Sequence, residues 1–163
     1  DSANGMAVTY IPAVDMKLHL RGLVQHEACG HGFAKLADEY FEPSASGISS
    51  EMKLKMEENE KYGWWSNVDF TDDPSDVKWA HFLSAPRYED ENLDVFEGAR
   101  GCSTGIWRAS YQSIMKDNSG EFNAPSREVI WRRIHRLAYG DAWEYSYEAF
   151  AEYDRINRKP EEW

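Results

Sequence analysis

Apolar positions recur at helical spacing near the start of the chain, where Leu20, Leu23 and Val24 lead to Glu27 with no proline from Met16 to about Ala37. That pattern predicts a long helix with Asp15 as its N-cap. A second periodic stretch, with Ile130, Ile134 and Leu137 at i, i+4 and i+7, predicts a helix opening at Ser126 and ended by Gly140. Further helices are expected from Glu51 to Tyr62, capped by Gly63, and from about Glu144 to Asn157. Asp73 followed by Pro74 reads as an N-cap and N1 proline, starting a helix that runs to about Ser84 with Pro86 just beyond. Strand character marks Val8 to Val14, where Pro12 suits an edge or a strand end, and Asn67 to Phe70. Asp94 to Ala99 and Gly105 to Ala109 flank a turn at Arg100 to Thr104 and predict a hairpin. Phe41 to Ser50, rich in Pro, Gly and Ser, reads as an exposed loop. With no internal repeat, these elements predict one α+β unit, mostly helical with few short strands.

Composition narrows the function classes. Apolar residues make up 42% of the 163 positions and aromatics 14%, enough for a packed core without disulfides. The net charge of −11 opposes nucleic acid or anionic lipid as a partner. No apolar run approaches the roughly 20 residues of a membrane helix, and no signal peptide is recognisable. Cys29 and Cys102 are too few for a disulfide framework; both are expected to be free, with a single bridge as the alternative.

The chemistry concentrates in His26-Glu27-Ala28-Cys29-Gly30-His31, inside the first predicted helix. Two neutral imidazoles from one rigid element suit zinc, and a Glu beside the first His can take a proton from water at the metal. The usual spacing is four. Here it is five, which in a regular helix is about 500° and turns the imidazoles about 140° apart. A single-turn π-bulge would bring His31 back over His26, and Gly30 and Gly32 make such a distortion easier. The flank continues GFAKLADEY, setting Asp38 and Glu39 just past the helix.

His26 to Tyr40, HEACGHGFAKLADEY, resembles the signature of the IgA-peptidase family of zinc metallopeptidases. Further matches follow in order: NVDF at Asn67 to Phe70, VKWAHFL at Val77 to Leu83, FEGA at Phe96 to Ala99, and GIWRASYQSIMKDN at Gly105 to Asn118. FNAPSRE at Phe122 to Glu128 and SYEAFAEYDRINR at Ser146 to Arg158 complete the series. The second His lies one place later than in the commonest family spelling. The HExxGH pattern of the dipeptidyl peptidase three family, matched here by HEACGH, shares the longer spacing.

The resemblance implies a metzincin-like catalytic unit over residues 1–163, standing alone or as the C-terminal part of a longer chain. It implies a zinc-dependent endopeptidase acting on a protein or peptide substrate, with Glu27 as general base, in an extracellular or cell-envelope location. His26, His31 and a third ligand would hold Zn2+. Asp38 is the preferred third ligand, as metzincin-like enzymes draw theirs from just after the helix, with Glu39 and Glu97 as competitors. Ser113-Ile114-Met115 looks like the Met-turn that lies beneath the metal in metzincins, or Met115 is simply core. Arg108 and Tyr111 could steady a substrate carbonyl or oxyanion, or Arg108 could pair with an acid such as Glu97. Cys29 is expected to be a small packing residue, and His19, His81 and His135 are given no role. A non-catalytic zinc-binding fragment and an exopeptidase remain the alternative functions, and the oligomeric state is open.

Overall fold

The computed structural model describes residues 20–158, so the strand expected at Val8 to Val14, the Asp15 cap and His19 lie outside the described residues. Helix α1 (Leu20–Val24) passes directly into a π-helix, Gln25–Ala34. Lys35, in the left-handed conformation (φ 60°), stops it, and the N–H groups of Lys35 and Leu36 both donate to the Gly30 carbonyl. The expected continuation to Ala37 is thus cut short by a tight C-terminal cap. Helix α2 (Ser50–Glu60) starts where Ser49 accepts from the Met52 N–H.

Strand β1 (Val68–Asp69) is followed by turns and one helical turn, α3 (Ala80–Leu83), rather than the longer helix expected from Asp73. The local reason is that Asp69 takes the N–H of Lys78, a donor that a helix running from Asp73 would direct to the Pro74 carbonyl. Pro86 lies just past the Ser84 C-cap of α3, as expected, and opens a 3₁₀ segment, Pro86–Glu91.

Strands β2 (Phe96–Ala99) and β3 (Cys102–Arg108) form the expected hairpin, with a tighter turn than the sequence suggested. Ala99 pairs with Cys102, leaving Arg100 and Gly101 as the two turn residues, both at positive φ (52° and 76°), which matches the twist of a two-residue hairpin. The sheet order is β1-β3-β2, antiparallel throughout, with Val68 and Phe96 both opposite Arg108.

Helix α4 (Ala124–Tyr139) begins two residues before the expected start, because Asn123 rather than Ser126 is the cap, accepting from the Ser126 N–H with Pro125 in the first turn. Its buried side is Ala124, Pro125, Glu128 and Trp131, while Ile134 and Leu137 of the apolar series are 48% and 67% exposed. Helix α5 (Tyr147–Asn157) starts at its Ser146 cap, a turn later than expected.

Apolar burial falls in three groups. Trp79, Phe82, Trp131 and Phe150 join the α3 region to α4 and α5. Met56, Val68, Ala99 and Ile106 pack α2 on the sheet. Ala34, Leu36, Ile114 and Met115 seat the π-helix against the loop after β3 and against α4. The architecture is α+β, and among the described residues no helix is long and apolar enough to cross a membrane.

The first turn of α1 lies against the chain at Asn118: a Cβ on Gly22 would overlap the Asn118 carbonyl oxygen. In an open helix Gly22→Ala would gain about 1 kcal/mol from propensity. Here the obstacle is backbone, which cannot swing aside, so the variant is expected to lose a net 1–3 kcal/mol or so in thermal unfolding. A stabilised Gly22→Ala protein would contradict this packing.

Candidate metal centre

The five-residue spacing of the two histidines is accommodated by widening, as expected, but over ten residues rather than one bulged turn. An i→i+5 turn sets His31 over His26, and the two Nε2 atoms stand 3.1 Å apart. Gly30 lets the helix lie directly on Met115, whose sulfur a Cβ there would overlap. The distortion is therefore supported at Gly30 by a fully buried side chain.

Each imidazole is oriented by a backbone carbonyl. His26 Nδ1 is 2.7 Å from the Ile114 oxygen and His31 Nδ1 is 2.8 Å from the Leu36 oxygen. A carbonyl only accepts, so Nδ1 carries the proton in both rings, and in the neutral tautomers both Nε2 lone pairs point at the same spot. Asp38 Oδ1 completes the triangle, 3.2 Å from His26 Nε2 and 3.0 Å from His31 Nε2. His26, His31 and Asp38 form the group that could hold a metal ion.

Burial differs across the three: the His26 side chain is 8% exposed, against 29% for His31 and 21% for Asp38. The site thus opens to solvent on the His31 and Asp38 side. Burial works to raise the Asp38 pKa, but hydrogen bonds to the two imidazoles outweigh it and hold the carboxyl well below the usual range. Burial disfavours the charged form of His31; Asp38 and the Leu36 carbonyl more than offset it and raise its pKa.

The segment carrying Asp38 is held on several sides. Asn67 accepts from the Ala37 N–H (2.7 Å) and donates to its carbonyl (2.9 Å), acting as a side-chain strand partner. The turn of the β2–β3 hairpin clips on next, with Arg100 N–H donating to the Asp38 carbonyl and Gly101 N–H to that of Tyr40. Glu39 N–H donates to the Met115 carbonyl at 2.8 Å.

The other residues singled out from sequence divide clearly. Glu27 is half-buried, and its charge acts on both His31 and Tyr40. Glu39 is fully buried and bound to Ser113, Asn67 and Asn123, away from the donor triangle. Glu97 is exposed and accepts from Gly105 N–H. Neither competes with Asp38.

Met115 is fully buried beneath the π-helix, and the neighbouring Ile114 carbonyl holds His26. Arg108 is only 2% exposed and donates to the backbone carbonyls of Glu97 and Gly98 between the rings of Phe41 and Phe96. It is spent on the hairpin, so it pairs with the backbone of Glu97 rather than with its carboxylate. Tyr111 is 66% exposed, beneath the Lys116 ammonium.

Cys29 and Cys102 are free. Cys29 is exposed, which corrects the expectation of a packing residue. His81 meets Glu128 at 3.2 Å and His135 donates to the Trp131 carbonyl, so both lie outside the metal group.

Sequence reasoning missed the parts that orient the ligands. The carbonyls of Leu36 and Ile114 have no residue-type signature at all. Asn123 had one, an Asn two places before a proline at a helix start, and Asn67 lay inside a quoted motif without an assigned role. No model of a known protein family matches this chain, and none of the curated proteins matches it significantly.

Proposed function

We propose that the protein is a zinc-dependent endopeptidase with a metzincin-like active site, and the observation that carries this reading is the convergence of His26 Nε2, His31 Nε2 and Asp38 Oδ1 within 3.0–3.2 Å of one another. Zinc bonds of about 2.0–2.2 Å at tetrahedral angles put neighbouring donors about 3.3 Å apart, so the triangle fits with a small expansion. Two imidazoles and one carboxylate leave a coordination position for water, as catalytic rather than structural sites do. Zinc held there would supply Lewis acidity toward a peptide carbonyl and a nucleophile at neutral pH.

The chain's own groups do the remaining work. Glu27, one residue from His26 and electrostatically coupled to His31, takes the proton from the attacking water and returns it to the leaving amine. The Nδ1 bonds of His26 and His31 keep both rings in the tautomer that offers Nε2. The same pair of histidines and carboxylate also suits non-haem iron; Glu27 beside His26 favours hydrolysis.

The test pairs metal content with turnover of an unstructured protein. The wild type is expected to hold one zinc per chain and to cleave internally. Glu27→Gln should keep the zinc and lose about 10²–10⁴-fold in rate, the usual worth of general acid–base catalysis. Undiminished cleavage by Glu27→Gln would refute the mechanism, and zinc without any cleavage would favour a non-catalytic binding role.

A further inference from the structure

Glu39 is fully buried, yet it offers nothing to the ion-binding group. Its contacts explain the position. Oε2 accepts from the Ser113 hydroxyl at 2.5 Å and Oε1 from Asn67 Nδ2 at 3.0 Å, while Asn123 Nδ2 stands 3.2–3.3 Å from both oxygens. Its own N–H donates to Met115. Glu39 therefore grips the turn 113–115 twice, once at each end, and between those grips lies Ile114, whose carbonyl orients His26.

On the other side Glu39 is the next residue after Asp38, and Asn67 links its carboxylate to both polar groups of the Ala37 backbone. One buried side chain thus connects the element that aims the first ligand to the element that carries the third. Asn123, the N-cap of α4, anchors this linkage to the rest of the fold and also donates to Ser110 at 2.8 Å.

We infer that Glu39 is a positioning residue for the metal centre, setting the distance between His26 and Asp38 through the Ser113–Met115 turn. The inference rests on the zinc reading given above. It concerns hydrogen bonds rather than charge: a Gln at 39 keeps an acceptor for Asn67 and Asn123 and can donate to Ser113, whose hydroxyl is able to accept instead.

The test measures zinc dissociation by chelator competition and the absorption of bound Co2+, with melting of the metal-free proteins as the folding control. Ser113→Ala cuts the link to the turn and is expected to weaken zinc about 10–100-fold, with an altered Co2+ spectrum. Ser110→Ala removes a hydrogen bond from the same buried network without touching Glu39, and should stay within about threefold of wild type. Ser113→Ala binding zinc like the wild type, or Ser110→Ala losing as much, would overturn the inference alone. Wild-type protein that takes up no zinc would overturn the metallopeptidase reading and the inference with it.

Discussion

His26→Ala protein is expected to emerge from gel filtration without zinc, where the wild type retains one equivalent. Structural zinc sites contribute about 10–16 kcal/mol through four donors, so one donor carries a few kcal/mol. At 1.4 kcal/mol per decade the affinity falls by about two orders of magnitude or more. The loss should exceed that of His31→Ala, because His26 is the more buried ring and its Nδ1 bond to Ile114 is tied to the Met115 turn. Elemental analysis after dialysis reads the result directly. A His26→Ala protein that still binds one zinc per chain would show that the ion sits elsewhere.

The second large effect lies outside the group of His26, His31 and Asp38. Arg127 on α4 holds Asp154 of α5 with two parallel bonds, Nε to Oδ1 at 2.7 Å and Nη2 to Oδ2 at 2.8 Å, and meets Glu91 at 2.5 Å. Glu91 also accepts the Ala124 N–H at the start of α4. Burial opposes the charge on Arg127, but its bonds to Asp154 and Glu91 raise its pKa above the ordinary value. Arg127→Met would leave Asp154, whose side chain is 3% exposed, without its cation.

Breaking a buried pair from one side costs about 3–5 kcal/mol. The Arg127 side chain is 21% exposed and water can reach it, so about 3 kcal/mol is expected, a drop of roughly 6–12 °C in melting temperature for a chain of this size. Arg127→Met with Asp154→Leu should recover much of the loss, because the stranded charge goes too. A double variant as unstable as the sum of its singles would argue against a direct pairing.

Much of this molecule could be read in advance where local chemistry decides. The hairpin at residues 94–109 followed from its two apolar runs and the Gly-containing turn, and the helix expected from Glu51 forms as Ser50–Glu60. The same logic failed at residues 73–84, where an N-cap and N1 proline are overruled because Asp69 and Trp79 bond to distant backbone, Trp79 reaching the Asp94 carbonyl. In α4 only Ile130 of the periodic apolar series packs on the core, while Ile134 and Leu137 face solvent and Trp131 with the small residues of the first turn are buried instead.

At the candidate metal centre, the His pair was legible because a five-residue spacing has only one way to bring two rings together, and Asp38 was preferred through the family resemblance. The choice of Asp38 over Glu39 was not legible from spacing. It depends on which carboxylate the extended segment turns inward, a matter of alternation and of the partners waiting in the core.

The widened helix has a wider meaning for how such a motif varies. A helix that runs one residue loose per turn keeps histidines five apart on one side, so the longer spacing need not mark a broken site. The glycine that yields and the methionine that props it from below, Gly30 and Met115, are what make that latitude available here.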